Sequence, residues 1–205
     1  MKQILCFGDS NTWGYNPKTG QRFPWGVRWT SVLQQKLGFE EYRIVEEGLC
    51  GRTTVFEDEL RPGRRGSDVI SFLLETHAPV DEIIIMLGTN DCKAVYNANE
   101  TVIGKGIEKL LQIIYRVQPD IKILLISPIF LGDDVWRKEF DPEFNEKSVD
   151  ISHKLKGVYE SIAQEHKISF LSASDYASYS TDDMEHMDEY NHERLAEAIY
   201  ENHYK

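Results

Sequence analysis

Gln3-Ile4-Leu5-Cys6-Phe7-Gly8-Asp9-Ser10-Asn11-Thr12 is the stretch on which the fold turns. A short apolar run breaks at a glycine, and the residues after it favour the first position of a helix, so the stretch reads as a strand delivering the chain into a turn. Working outward, Arg43–Glu46, Glu82–Leu87, Lys122–Ile126 and Ser169–Leu171 read as further strands. Between them, Trp29–Leu37, Ser67–Thr76, Val102–Val117 and Val149–His166 carry apolar residues at three- and four-residue spacing, and Glu189–Asn202 closes the chain in the same pattern. Strand and helix alternating in this way is the sequence sign of βαβ units. The expected architecture is a three-layer α/β/α sandwich around a central five-stranded parallel sheet. The runs at Arg43–Glu46, Glu82–Leu87 and Lys122–Ile126 are expected to be covered on both faces, since they alternate little between apolar and polar.

The chain has 205 residues, which fits one domain over 1–205. Its formal net charge of −11 disfavours nucleic acid as a partner, because the only basic run is Arg61–Arg65. The N-terminus lacks the apolar stretch of a signal peptide, and no run is long enough to span a membrane, so the expected location is cytoplasmic. Cys6, Cys50 and Cys92 show no CxxC spacing, so reduced thiols are the default and neither a disulfide framework nor a metal site is suggested.

Two long connections, Asn11–Val27 and Pro128–Lys147, leave the carboxyl ends of strands, the edge where open α/β sheets bind ligands. At that edge Ser10 suits a nucleophile; equally, the segment suits an ordinary strand-to-helix turn with Ser10 or Asp9 as the N-cap. Gly88-Thr89-Asn90-Asp91 follows the third strand and Gly48-Leu49-Cys50-Gly51-Arg52-Thr53-Thr54 the second. If the first strand lies between the other two, these turns flank Ser10 and suit an oxyanion hole; taken alone, Gly88–Asp91 is an ordinary polar turn. Near the C-terminus, Asp183-Met184-Glu185-His186 sets an acid three residues before a histidine, a spacing that orients an imidazole. Glu189-Tyr190-Asn191-His192 repeats the spacing, but in what reads as the first turn of a helix. A metal site from Asp183, His186, Asp188 and His192 has no recognised ligand spacing.

The four blocks Gly8–Thr12, Gly51, Gly88–Asp91 and Asp183–His186 resemble the SGNH/GDSL hydrolase family, in that family's order and over nearly the whole chain. Thr12-Trp13-Gly14, Val27-Arg28-Trp29-Thr30, Glu47-Gly48-Leu49 and Arg52-Thr53-Thr54 look like its arylesterase/acyltransferase branch. The resemblance implies a flavodoxin-like sandwich and a serine esterase acting on short acyl esters without metal or cofactor. Carried over residue by residue, it makes Ser10 the nucleophile, His186 the general base and acid, and Asp183 its orienting partner. It makes the Ser10 and Gly51 backbone N–H groups and the Asn90 amide the oxyanion donors. Met184 stands where the family pattern has glycine, and Cys50 where a serine is common. A homo-oligomer covering the pocket mouth is an arrangement known in that branch.

Aromatics crowd both long connections: Trp13, Tyr15, Phe23 and Trp25 in the first, Phe130, Trp136, Phe140 and Phe144 in the second. They suit pocket walls or loop packing, and Trp13, three residues from Ser10, is the expected substrate contact. Two other functions fit parts of the pattern. One is a carbohydrate O-acetylesterase using the same three residues. The other is a non-catalytic module holding a nucleotide or phosphate at Gly8–Thr12, which lacks the glycine patterns of phosphate loops.

Overall fold

The computed structural model describes residues 1–205. Strands β1 (Lys2–Gly8), β2 (Tyr42–Gly48), β3 (Glu82–Met86), β4 (Lys122–Ser127) and β5 (Ser169–Ser172) form one sheet in the order β2-β1-β3-β4-β5, every pair parallel. The helices are α1 (Ser10–Trp13), α2 (Trp29–Leu37), α3 (Gly66–Thr76), α4 (Glu100–Val117), α5 (Glu146–His166) and α6 (Glu189–Ile199). Helices α3, α4 and α5 cover one face, α2 and α6 the other. Successive strand residues serve the two faces in turn: Leu5, Phe7, Ile83, Ile85 and Leu125 pack under α3–α5, while Ile4, Cys6, Ile84, Met86, Leu124 and Ile126 pack under α2 and α6. Each such Leu or Ile side chain contributes about 1.5–3 kcal/mol by leaving water.

The chain moves outward from β1 to β2 and then crosses back to β3 on the other side of β1. That reversal opens a crevice at the carboxyl ends of β1 and β3. It also corrects one expectation. The Arg43–Glu46 run belongs to an edge strand with no fully buried residue, and its acids face partners at the rim: Glu46 takes Arg28 at 2.8 Å and Glu47 takes His77 at 2.8 Å. The strands covered on both faces are β1, β3 and β4.

Three boundaries shift for local reasons. The first long connection begins with a helical turn, α1, ended by Gly14 in a left-handed conformation, and a Tyr15–Arg22 bridge ties the rest together. Helix α5 starts at Glu146 rather than Val149 because Asn145 and Ser148 exchange side-chain-to-backbone hydrogen bonds at its N-terminus, 3.0 and 3.1 Å. Helix α6 ends at Ile199, and the wider turn Tyr200–Tyr204 that follows brings His203 and Tyr204 onto the buried Glu82. No helix is long and apolar enough to cross a membrane.

Two glycines let the crevice form. A Cβ on Gly8 would lie 2.0 Å from the Thr12 hydroxyl, and one on Gly48 would lie 2.1 Å from the Trp13 backbone nitrogen. Helix α1 is thereby pressed onto the ends of β1 and β2.

Candidate active site

Asp9 caps α1 by accepting the Asn11 N–H at 3.0 Å, which leaves Ser10 as the first helical residue beyond β1. One helical turn makes little macrodipole, so any negative charge arising beside Ser10 must be met by individual donors. Burial pushes the Asp9 carboxyl up to about 7.

The Ser10 hydroxyl lies 2.8 Å from His186 Nε2, across 176 positions of sequence. On the far side of the ring, His186 Nδ1 lies 2.7 Å from Asp183 Oδ2. The other carboxylate oxygen, Oδ1, accepts the backbone N–H groups of Glu185 at 3.0 Å and His186 at 2.9 Å. Asp183 is thus locked to the turn that carries its partner. Met184 sits in that turn at φ 60°, the left-handed conformation that glycine adopts freely, so the turn survives without glycine. Its N–H donates to Ser180 O and its carbonyl accepts from Gly132 N–H, both at 2.8 Å, while its side chain packs against the core.

A hydroxyl, an imidazole and a carboxylate in one hydrogen-bonded chain can pass a proton from the first to the second while the third holds the ring. Burial pulls the His186 imidazole down, but the charge of Glu185 and the hydrogen bond to Asp183 outweigh it and leave it above 6.5. For Asp183, burial raises the carboxyl, and the His186 bond with the two backbone N–H groups brings it below its ordinary value.

The flanking turns converge as the strand order requires. Ser10, Gly51, Asn90, Asp183 and His186 line one cavity of about 250 Å³, together with Tyr15, Cys50, Arg61, Lys93, Phe140, Asp141 and Glu185. Neither the Ser10 nor the Gly51 backbone N–H donates a hydrogen bond within the chain. One N–H of the Asn90 amide donates to Arg52 O at 3.2 Å, which fixes the group and leaves its second N–H unspent. Three donors beside one hydroxyl can receive the oxygen of a tetrahedral adduct.

A family model described as GDSL-like lipase/acylhydrolase matches residues 6–195. The chain belongs to that family. This GDSL hydrolase superimposes on the native aryl esterase of M. smegmatis with a TM-score of 0.90 at 34% identity, over 98% of this chain and 97% of that one. A carbohydrate acetylesterase family member from Sinorhizobium meliloti gives 0.89 at 33% identity, over 97% and 95%. At 20% identity, the lipase/acylhydrolase from Enterococcus faecalis shares the fold, with a TM-score of 0.69 over 98% and 94%. Among curated proteins, none matches the chain in sequence. The family and these neighbours make it a carboxylic ester hydrolase, not a non-catalytic binding module.

Other residues singled out from the sequence of the GDSL hydrolase lie elsewhere. Trp13 does not line the cavity; the Arg22 guanidinium lies 5.4 Å from its ring centre. The aromatic walls are Tyr15, whose ring centre is 4.3 Å from that of His186, and Phe140. Phe23 packs edge-on to His192, Phe130 stacks on His153, and Phe144 is core. His192 is buried, accepts the Trp29 N–H at 3.3 Å through Nδ1, and is pushed down to about 3, chiefly by burial. It is a neutral packing residue. Cys50 reaches the cavity, where burial pushes its thiol up to about 11, whereas Cys92 is core and donates to Gly88 O. Two arginines of the basic run meet acids, Arg61 pairing with Asp58 at 2.7 Å and Arg65 lying 3.6 Å from Glu57, while Arg64 donates to the backbone carbonyls of Cys50 and Pro62.

Three contributors were not legible in the sequence. Asn11 accepts the Met187 N–H at 2.9 Å and donates to Glu185 O at 3.4 Å, so one amide ties the Ser10 turn to the histidine turn. Asp91 grips Thr54 behind the flanking turns. Glu185 brings a carboxylate into the cavity. The only advance signal was residue type, an amide directly after Ser10 and an acid directly before His186.

Proposed function

We propose that this GDSL hydrolase is a serine esterase that cleaves short acyl groups from carboxylic esters through Ser10, His186 and Asp183. The contact of Ser10 Oγ with His186 Nε2 at 2.8 Å, backed by Asp183 at 2.7 Å, carries the reading. Ser10 Oγ attacks the ester carbonyl while His186 Nε2 takes its proton. The resulting oxyanion meets the N–H groups of Ser10 and Gly51 and the Asn90 amide. Collapse breaks the bond to the alcohol oxygen, which receives the proton from His186, and leaves Ser10 acylated. Water, or a second alcohol, then gives its proton to His186 and attacks the acyl carbon, releasing acid or a new ester and restoring Ser10. Asp183 holds the ring and balances its transient charge.

A cavity of about 250 Å³ suits acetyl and similar short groups better than long chains. Replacing Ser10 by alanine should nearly abolish hydrolysis of an aryl acetate; full activity in Ser10→Ala would overturn the assignment.

A second reading, a carbohydrate O-acetylesterase using the same residues, is favoured by one observation: Arg61, Lys93, Asp141 and Glu185 add four charged side chains to the cavity lining beyond the proposed catalytic residues. Comparing aryl acetate with acetylated xylose separates the two. The reading extends to a cytoplasmic setting, which three free cysteines support.

A further inference from the structure

We propose that Glu185 reads the alcohol half of the ester, accepting a hydrogen bond from a hydroxyl on the leaving alcohol, so that the enzyme favours esters of polyols over those of plain alcohols. The inference rests on the roles given to Ser10 and His186 above. Its starting point is a carboxylate without a hydrogen-bond donor. The Glu185 side chain is only 8% exposed, it lines the Ser10 cavity, and no group of the chain donates a hydrogen bond to either of its oxygens. A largely buried carboxylate that a ligand cuts off from water needs a donor from that ligand.

The backbone sets where the side chain starts. The Glu185 N–H donates to Asp183 at 3.0 Å and its carbonyl accepts from Asn11 at 3.4 Å, so the main chain is held by the groups that hold the histidine turn. From there the side chain lies in the wall of the Ser10 cavity, with Oε1 3.8 Å from His186 Nε2. That separation is too long for a hydrogen bond to the imidazole. It is the right neighbourhood for the alcohol, because Nε2 must return its proton to the alcohol oxygen, and substituents on the adjoining carbons then come within reach of Glu185.

An ionised carboxylate only accepts, so the ligand must donate. Two classes of donor are open, a hydroxyl and an ammonium. Lys93 and Arg61 already bring two cations to the same lining, beside Asp141 and Asp183. Both are held by acids, Lys93 by Glu143, and Arg61 by Asp58 at 2.7 Å and by Glu143 at 3.4 Å. Neither cation donates to Glu185, and a neutral alcohol carrying hydroxyl groups supplies that donor without adding a further charge to the cavity. A plain alkyl alcohol would shut the carboxylate away from water with no donor, and sites built on a buried polar group reject such analogues strongly.

Two esters isolate the effect, 2,3-dihydroxypropyl acetate and propyl acetate, which share the acyl group and the three-carbon skeleton. The wild-type enzyme should favour the dihydroxy ester in kcat/KM by about tenfold or more. In Glu185→Leu the ratio of the two kcat/KM values should fall by about tenfold, and in Glu185→Gln, which keeps a neutral acceptor, by about threefold. Thermal melting shows whether each variant folds, and the near-isosteric Gln variant decides the matter by itself if the Leu variant does not. A wild-type enzyme indifferent to the hydroxyls, or a ratio unchanged within twofold in the folded variants, would overturn the proposal. Ser10→Ala assayed on both esters keeps the two claims apart: activity remaining there defeats the nucleophile assignment, whereas its loss alongside an unchanged Glu185 ratio defeats only the inference about Glu185.

Discussion

The Asp91 carboxylate clasps Thr54, accepting its backbone N–H at 3.0 and 3.1 Å through the two oxygens and its hydroxyl through Oδ1. The pair joins the turn after β3, which carries Asn90, to the turn after β2, which carries Gly51. Two of the three proposed oxyanion donors are thus positioned relative to each other by one buried contact.

Asp91→Ala should therefore cost both stability and rate. It strands the Thr54 N–H and hydroxyl in a buried place, a loss of about 1–3 kcal/mol that thermal melting would show. Because an oxyanion hole acts on the transition state, kcat should fall while KM changes little. Asn90→Ala, which removes a donor outright, should lower turnover by about 10²–10³. A normal kcat in a folded Asp91→Ala would mean that the clasp plays no part in catalysis.

The acid limb of the pH profile should be displaced upward. His186 must be neutral to accept the Ser10 proton, and a base is neutral above its pKa, so kcat/KM should rise with pH and reach half its plateau above 6.5. Burial alone would have moved the midpoint down; the Glu185 charge is the largest of the opposing influences, ahead of the Asp183 hydrogen bond. Glu185→Gln should consequently move the midpoint to lower pH, read from kcat/KM for an aryl acetate across the range. A midpoint that stays put would show that the Glu185 charge does not reach the imidazole.

Asn11 is proposed as a positioning residue. Its amide bonds both Met187 and Glu185, on either side of His186 in the sequence. In Asn11→Ala the histidine turn is free to shift relative to Ser10, and a misplacement of about 1 Å can cost about 10²-fold in rate. The loss should fall on kcat, and Asn11→Asp, which keeps the acceptor for the Met187 N–H, should recover part of it. Equal losses in both variants would argue against positioning through that acceptor.

Met184 offers a test of backbone strain. A left-handed conformation costs a residue with a side chain about 1–2 kcal/mol, and a β-branched one more. Met184→Gly removes the strain together with some packing, so its melting temperature should stay within about 4 °C of the wild type and activity should persist. Met184→Ile should melt lower and lose activity, because the turn that sets Asp183 beside His186 is then disfavoured. An Ile variant as stable as the wild type would show that the turn tolerates any side chain.

Several elements were legible locally because their causes are local. The run Gln3–Phe7 breaks at Gly8, and β1 ends at that glycine. Asp183 and His186 lie three residues apart, and the turn joins them at 2.7 Å. Helix starts were less legible: α5 begins three residues early because Asn145 and Ser148 trade hydrogen bonds, a reciprocity that periodicity does not report.

By itself, the sequence determined the alternation of strands and helices, the parallel sheet, and the order in which the four motif blocks arrive. Strand covering, the walls of the cavity and the state of its charged groups were decided only in the tertiary structure. Arg43–Glu46 reads like a central strand until the sheet order sets it at the edge. Trp13 is near Ser10 in sequence yet lies over Arg22, while Tyr15, two residues on, faces His186. The physical reason is common to both. Periodicity and turn chemistry act over a few residues, whereas burial, crossover direction and the contact between Ser10 and His186 join groups 176 positions apart. Those contacts exist only once the two faces of the sheet have been packed.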